Sequence, residues 1–257
     1  MMIWFLRISG DWLKYLINIL PLSSSFLIVA VILVIGAAVS YITGKLTLAA
    51  SVTGVLVAIA IYVGAGIAGV AMLTAFFVLG TAVTSYKREE KLALGTVQAS
   101  EGRRKAGQVF ANAGVAGVLA LLSTRFDRES ILFIVMIAGS LASATGDTFS
   151  SELGNIYGRN FYNILTLKKD QRGLNGVIST EGTLFGLVGS LAIAFVFALF
   201  FGWHYSFFVI VVSGVAGNLC DSMLGAVFER KGLLNNDAVN FLNTAFAALI
   251  AFFLMRV

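Results

Sequence analysis

Charge along this chain is confined to a few short islands, and long apolar stretches run between them. Residues 15–44, 46–86, 106–124, 130–146, 182–220 and 238–255 hold no Asp, Glu, Lys or Arg. About 20 apolar residues in a helix cross the hydrocarbon of a bilayer, and only helices or closed barrels satisfy their backbone there. The runs are long and do not alternate polar with apolar positions, which selects helices. Eight spans are expected, at 22–43, 46–64, 66–86, 106–123, 130–147, 183–202, 205–228 and 238–255. The run over 46–86 is too long for one crossing and breaks at Gly64 and Gly66. The run from 182 breaks at Gly202-Trp203-His204-Tyr205, where aromatics suit the interface. The spans at 46–64 and 130–147 are among the shortest, so the count ranges from six to eight.

Arg7, Asp11, Lys14 and Asn18 recur at helical spacing and form one narrow polar stripe among Ile, Trp, Phe, Leu and Tyr. That pattern predicts a helix lying in the membrane interface over 1–21. It does not read as a cleavable signal, because the Arg comes late and no small-x-small site follows. Pro21 suits the first turn of the next helix. The expected fold is an all-α membrane protein, a polytopic bundle of about eight transmembrane helices behind an interfacial amphipathic helix. Residues 22–257 would form one bundle with loops at 87–105, 148–182 and 229–237.

Composition sharpens this picture. The chain is 58% hydrophobic and 12% charged, with a mean hydropathy of +0.92. A soluble domain carries about twice that charge. A single cysteine excludes a disulfide framework, and Cys220 reads as a small packed residue. The 27 glycines lie mostly inside the apolar runs, which predicts close helix packing. The net charge of +5 comes from loops without interleaved aromatics, so nucleic acid is not an expected partner. With eight spans, 13 of the 18 Lys and Arg fall on one side. The positive-inside rule makes that side cytoplasmic and both termini external.

Three polar segments lie on that side, next to the spans. Arg103-Arg104-Lys105 leads into Gln108 and Asn112, and Arg104, Gln108 and Asn112 share one helix face. Ser143, Asp147 and Ser151 form a second stripe, which runs into Gly146-Asp147-Thr148-Phe149-Ser150-Ser151-Glu152. An Asp in a membrane helix costs roughly 2.5–3.5 kcal/mol at the bilayer centre and less near the interface, so it is usually retained for a metal, a proton or a substrate. The third segment runs Gly217-Asn218-Leu-Cys-Asp221-Ser222 and on through Glu229-Arg230-Lys231 to Asn235-Asn236-Asp237 and Asn240. Here Asn243 suits interhelical hydrogen bonding. The second and third segments resemble each other, with Asp147-Thr148 matching Asp221-Ser222 at 74 positions' distance. This predicts a parallel duplication of a helix–loop–helix unit, with two equivalent acidic ends meeting about a pseudo-twofold axis.

Two carboxylates among Asn and hydroxyl oxygens suit a hard cation such as Mg²⁺. Asp147 and Asp221 are the expected ligands, helped by Glu152, Asn218 and Asp237. Arg103, Arg104, Lys105, Lys168, Lys169, Arg172, Arg230 and Lys231 suit phosphate oxygens. Acidic metal ligands beside a basic clamp at a membrane face point to phosphoryl transfer involving an anionic lipid. The chain has no P-loop and no protein-kinase motif set. Its only histidine, His204, lies in an expected outer turn, which argues against histidine-metal or triad chemistry.

Several stretches resemble the integral-membrane family that includes plant phytyl-phosphate kinase and transmembrane protein 19. They are Gly146-Asp147-Thr148 with Ser151-Glu152-Leu153-Gly154, Asn175-Gly176 with Ser179, Gly182 and Thr183, Gly217-Asn218 with Asp221-Ser222, and Leu234-Asn235-Asn236-Asp237 with Val239-Asn240. The Arg103–Asn112 segment fits as well, and the resemblance covers roughly residues 30–255. It implies a kinase that passes a phosphoryl group from CTP, or another nucleoside triphosphate, to a prenyl monophosphate such as phytyl phosphate. Among plant and cyanobacterial members this salvages phytol toward tocopherol. The resemblance adds Asn112, Asn175, Ser179, Asn235, Asn236 and Asn240 to the residues expected to hold nucleotide or lipid phosphate. Expected partners are the nucleotide, the prenyl phosphate and membrane lipid; a homodimer stays open. The competing reading is a transporter of an ion or small anion, because intramembrane acids and repeats suit transporters too. A transporter needs a midplane site reached from both sides, whereas the polar residues here gather at one face. A scaffold without ligand would not retain such costly acidic and amide clusters.

Overall fold

The computed structural model describes residues 24–95, 102–126 and 131–257. The expected interfacial helix over 1–21 lies outside the described residues. The described chain forms helices α1 (Ser24–Ile42), α2 (Leu48–Ser85), α3 (Arg88–Ala93), α4 (Ala106–Phe126) and α5 (Ile131–Tyr157). A two-residue hairpin follows, of β1 (Tyr162–Asn163) against β2 (Val177–Ile178). Then come α6 (Thr180–Phe201), α7 (Tyr205–Val227), a 3₁₀ turn (Glu229–Lys231) and α8 (Asn236–Leu254). Among the described residues six helices, α2 and α4 to α8, are long and apolar enough to cross a membrane. The protein is an all-α, polytopic membrane bundle.

Helix α2 is two crossings rather than one. Gly66 sits at φ 62° and ψ −155°, a conformation essentially reserved for glycine. A straight helix of 38 residues would hold its ends about 57 Å apart. Yet Lys45, just before α2, donates its Nζ to Ser85 Oγ at 3.0 Å, at the far end of the same helix. A Cβ at Gly69 would also stand 3.4 Å from the carbonyl oxygen of Ile61. The chain therefore doubles back at Gly66, and its arms, 48–65 and 67–85, each span about 27 Å or slightly more. With α1, whose apolar part Phe26–Ile42 is shorter, this makes eight apolar segments among the described residues.

Helix α5 is the hub, packing against α2, α4, α6, α7 and α8. Its buried face is built from small residues, among them Ala138, Gly139, Ser140, Ala142, Ser143, Ala144 and Gly146. Small side chains let backbones approach. A Cβ at Gly146 would lie 2.9 Å from the Gly186 carbonyl of α6, and one at Gly189 would lie 2.8 Å from the Thr145 carbonyl. Helix α1 packs mainly on α2, through Phe26 against Tyr62, and leaves Leu27, Ile28, Val31 and Ile35 exposed.

Two expected boundaries are corrected. The span placed at 130–147 continues to Tyr157, so residues 148–157 are helix and the connection to α6 begins near Gly158. Phe149 and Gly154 are buried in that extension, so its polar residues share the helix with a packing face. The 87–105 connection likewise contains α3.

Candidate active site

Asp147 on α5 and Asp221 on α7 bring their carboxyls side by side. The contact belongs to a seam between two parallel helices. Gly139 meets Ser213, Ser143 meets Gly217, and Asp147 meets Asp221. Each pair is 74 positions apart, and successive pairs are one helical turn apart. Equivalent residues of a duplicated unit meet this way about a local twofold axis along the helices. From α8, Asn243 Nδ2 donates to Asp221 Oδ1 at 2.6 Å, and Asn243 Oδ1 accepts from Ser143 Oγ at 2.9 Å.

A cavity of about 710 Å³ opens at this end of the bundle, and Asp147, Thr148, Ser151 and Glu152 of α5 line it. Arg103, Arg104, Lys105, Gln108 and Asn112 reach it from the start of α4. Asn235, Asn236, Asp237 and Asn240 reach it from the start of α8, and Phe76, Thr81, Thr84 and Ser85 from the second arm of α2, with Lys45 and Arg88. The sequence reading missed this α2 wall and did not assign Lys45 or Arg88 to the site. The hydroxyl-rich end of the 46–86 run, Thr81 to Ser85, was the available signal.

Local structure fixes the basic wall. Arg104 N–H donates to the Lys45 carbonyl at 3.0 Å, and Thr47 N–H donates to the Arg104 carbonyl at 3.1 Å, so Arg103-Arg104-Lys105 is tied to the start of α2. Gln108 Oε1 accepts from Lys105 N–H at 2.8 Å, the half of a capping box that satisfies a helix-start donor. The Arg104 guanidinium lies over the Phe76 ring, 5.8 Å from its centre, in a notch at Gly80 where a Cβ would stand 3.2 Å from Nη2. Burial pushes it below its ordinary range, while the charge of Glu152 pulls it back up. Arg103 turns toward the Tyr41 ring. Asp237 abuts Gly107, joining the starts of α8 and α4.

The basic residues expected to form one clamp divide into two groups. Arg230 binds Asp170 at 2.7 Å and the Asn175 carbonyl. Arg172 donates to the Gly158 carbonyl at 3.0 Å and lies 4.7 Å from the centre of the Phe161 ring. Both hold the 158–179 connection in place. Lys168, Lys169 and Lys231 are exposed and stand apart from the cavity lining. Ser179 caps α6, accepting from Gly182 N–H at 3.0 Å, and Asn235 caps α8, accepting from Ala238 N–H at 2.9 Å. Asn218 is buried against Gly186 between α7 and α6. Glu152 pairs with Lys91 at 2.6 Å, a partner the sequence reading did not single out.

Among the described residues no three His, Cys, Asp or Glu side chains converge as a metal cage. Two ionised carboxyls in contact repel, and a cation between them removes that repulsion. The Asp147–Asp221 pair, with hydroxyl and amide oxygens close by, fits Mg²⁺, which typically uses one or two carboxylates and leaves its other positions to water and phosphate.

Comparison with known proteins agrees with a membrane bundle of this kind. A family model described as integral membrane protein DUF92 matches residues 30–248. An uncharacterized membrane protein of Methanocaldococcus jannaschii is 37% identical over 180 residues, 70% of this chain and 73% of that protein. Protein VTE6, chloroplastic, of Arabidopsis thaliana is 35% identical over 199 residues, 74% of this chain but only 60% of the relative. An uncharacterized membrane protein of Synechocystis is 33% identical over 197 residues, 74% of this chain and 75% of that protein. No solved structure matches. The chain belongs to the DUF92 family of integral membrane proteins.

Proposed function

We propose that this protein is a prenyl-phosphate kinase. It would transfer a phosphoryl group from CTP or another nucleoside triphosphate to a prenyl monophosphate, phytyl phosphate being the model substrate, at the cytoplasmic membrane face. The observation that carries the reading is one cavity at one end of a membrane bundle lined by Asp147, the neighbour of Asp221, and by three consecutive basic residues. The relationship to the plant relative supports it.

In this reading the prenyl tail stays in the bilayer and its phosphate enters the cavity. An oxygen of that phosphate attacks the terminal phosphorus of the nucleotide. The bond from that phosphorus to its bridging oxygen breaks, and the nucleoside diphosphate leaves. A phosphate dianion needs little base catalysis, so the protein mainly positions groups and neutralises charge. Arg104, fixed in its notch at Gly80, would bind phosphate oxygens, with Arg103, Lys105, Lys45 and Arg88 around it. Asn235, Asn236, Asn240 and Asn112 would orient the nucleotide. Asp147 and Asp221 would hold Mg²⁺, whose chemistry is to offset charge on the transferred group.

The transport reading fits less well. Below Ser140 and Ser213 the inter-helix space is filled by Ile134, Val135, Ile137, Ile193, Phe197, Val209 and Ile210, all buried. The polar column from Asp147 ends there, so it serves one face.

The test is purified protein with labelled CTP, Mg²⁺ and a series of prenyl monophosphates. Formation of the diphosphate is expected, and its absence across the series removes the reading. Asp147→Asn and Asp221→Asn should each lower turnover by about three orders of magnitude while the protein stays folded. Uptake into proteoliposomes that depends on Asp147 would favour transport instead.

A further inference from the structure

Arg103 and Arg104 are consecutive, yet they face different parts of the molecule. Arg104 pairs with Leu46 through a backbone bridge, and successive side chains of such a stretch point to opposite sides. Arg104 goes inward, over Phe76 and into the Gly80 notch. Arg103 goes outward. Its guanidinium lies 5.8 Å from the centre of the Tyr41 ring, and a Cβ at Gly44 would stand 3.6 Å from its Nε. Tyr41 and Ile42 end α1 and are 42% and 77% exposed. An exposed Tyr beside an exposed Ile, just before Lys45, marks the level where hydrocarbon gives way to headgroups. Arg103 also lines the cavity, so it stands where the cavity meets the edge of the bilayer. No ion pair among the described residues involves it. A cation held over a ring keeps its N–H donors for an anion.

Two other sides of the cavity are tied shut. Between α4 and α8, Phe110 stacks on Phe241 with ring centres 5.8 Å apart. Asp237 abuts Gly107 there, and Thr244 Oγ1 donates to the Ala111 carbonyl at 3.4 Å. Between α2 and α5, the Tyr86 and Tyr157 hydroxyls are hydrogen-bonded at 2.8 Å. On the same side Lys91, 1% exposed, joins the Val83 and Thr84 carbonyls to Glu152. Helix α1, by contrast, packs mainly on α2.

We infer that Arg103 recognises the phosphate of the lipid acceptor, and that this lipid enters sideways, past Tyr41, between the end of α1 and the start of α4. Its chain stays in the bilayer against Tyr41 and Ile42 while its phosphate meets Arg103. The planar guanidinium fork suits a phosphate monoester, which offers several free oxygens. Arg104, on the inner side, is left for the nucleotide. The inference deepens the kinase reading by assigning the acceptor's entrance, and it rests on a lipid phosphate being what the cavity receives.

The test uses the full chain in detergent, with labelled farnesyl monophosphate and labelled CTP with Mg²⁺ as separate probes, and thermal unfolding as a fold control. Arg103→Ala should weaken farnesyl monophosphate binding about tenfold and change CTP binding by less than about twofold. Arg104→Ala should weaken CTP binding more than farnesyl monophosphate binding. In the kinase assay, Arg103→Ala should raise KM for the prenyl monophosphate and not KM for CTP. Equal losses for the two probes in Arg103→Ala, or unchanged farnesyl monophosphate binding, overturn the inference. Wild-type protein that binds no farnesyl monophosphate overturns it too. Arg103-dependent binding without any diphosphate formed supports the inference while removing the kinase reading. Diphosphate formation whose KM for the lipid ignores Arg103→Ala keeps the kinase reading and overturns the inference. Should Arg103→Ala fail to fold, photo-crosslinking decides the matter. Tyr41→p-benzoylphenylalanine should capture labelled farnesyl monophosphate, and excess unlabelled lipid should suppress the capture. Phe110→p-benzoylphenylalanine, on the closed side, should not capture it, and capture there in preference to position 41 overturns the inference.

Discussion

Asn243 gives both ends of its amide to the seam that carries the acidic pair: its nitrogen holds Asp221 at 2.6 Å and its oxygen takes the Ser143 hydroxyl at 2.9 Å. The amide therefore fixes one carboxyl while α5 carries the other. Groups that orient metal ligands typically contribute 10–100-fold to metal affinity. Asn243→Leu keeps the size but removes donor and acceptor, and should raise the Mg²⁺ concentration for half-maximal turnover by about that factor. A metal titration of kinase activity measures it. An unchanged titration would mean that Asn243 only joins helices.

The reversal at Gly66 has a cost that can be measured and a topology that can be mapped. A residue with a Cβ at φ 62° and ψ −155° stores about 1–3 kcal/mol of strain, so Gly66→Ala should lower the unfolding temperature in detergent. Reversal also puts Lys45 and Ser85 on one side of the membrane. In a Cys220→Ala background, Lys45→Cys and Ser85→Cys should be labelled by an impermeant thiol reagent from the same side. Trp203→Cys, between α6 and α7 and exposed, should be labelled from the other side. Labelling of positions 45 and 85 from opposite sides would mean that α2 crosses once.

The spans were legible because lipid tolerates so little charge, and the break at Gly66 because 41 uncharged residues exceed one crossing. The pairing of Asp147 with Asp221 was legible as a repeat at constant offset. Other features depend on tertiary packing that local pattern does not carry. Arg88-Glu89-Glu90-Lys91 looks like a solvated charged turn, and nothing in its spacing reveals that Lys91 alone is buried. Residues 148–157 look like a loop because they are polar, yet Phe149 and Gly154 give them a packed face. The single basic clamp was misread for a similar reason. Arg172 and Arg230 turn inward on their own connection, to Gly158 and Asp170, and only the folded chain shows that.

The Asp170–Arg230 pair gives that connection a pH dependence. The hydrogen bond from Arg230 holds the Asp170 carboxyl below its ordinary value, helped by the Gln171 N–H. A depressed carboxylate contributes stability that is complete above its unfolded value, about 3.9, and is lost as pH falls through the lower folded value. Residues 158–179 should therefore become easier to cleave or exchange on acidification into that range. Asp170→Asn should loosen the segment at neutral pH and flatten its pH response. Hydrogen exchange of peptides covering 161–178 reads both. A segment equally protected in Asp170→Asn at neutral pH would show that the hairpin holds itself.

The glycine seam makes a prediction about the spacing of the acidic pair. Gly217 lies one turn before Asp221, and a Cβ there would overlap Ser143 Oγ and stand 2.9 Å from Ala247 Cβ. Gly217→Ala must push α7 away from both α5 and α8. Overpacking of this kind costs about 1–3 kcal/mol. The displacement would also carry Asp221 away from Asp147. Ser143→Ala removes the hydroxyl that the new methyl would strike, so Ser143→Ala/Gly217→Ala should recover part of the lost unfolding temperature and of the Mg²⁺ affinity. Such coupling is expected only between residues in contact. Two substitutions that add independently would mean that α5 and α7 are not packed in this register.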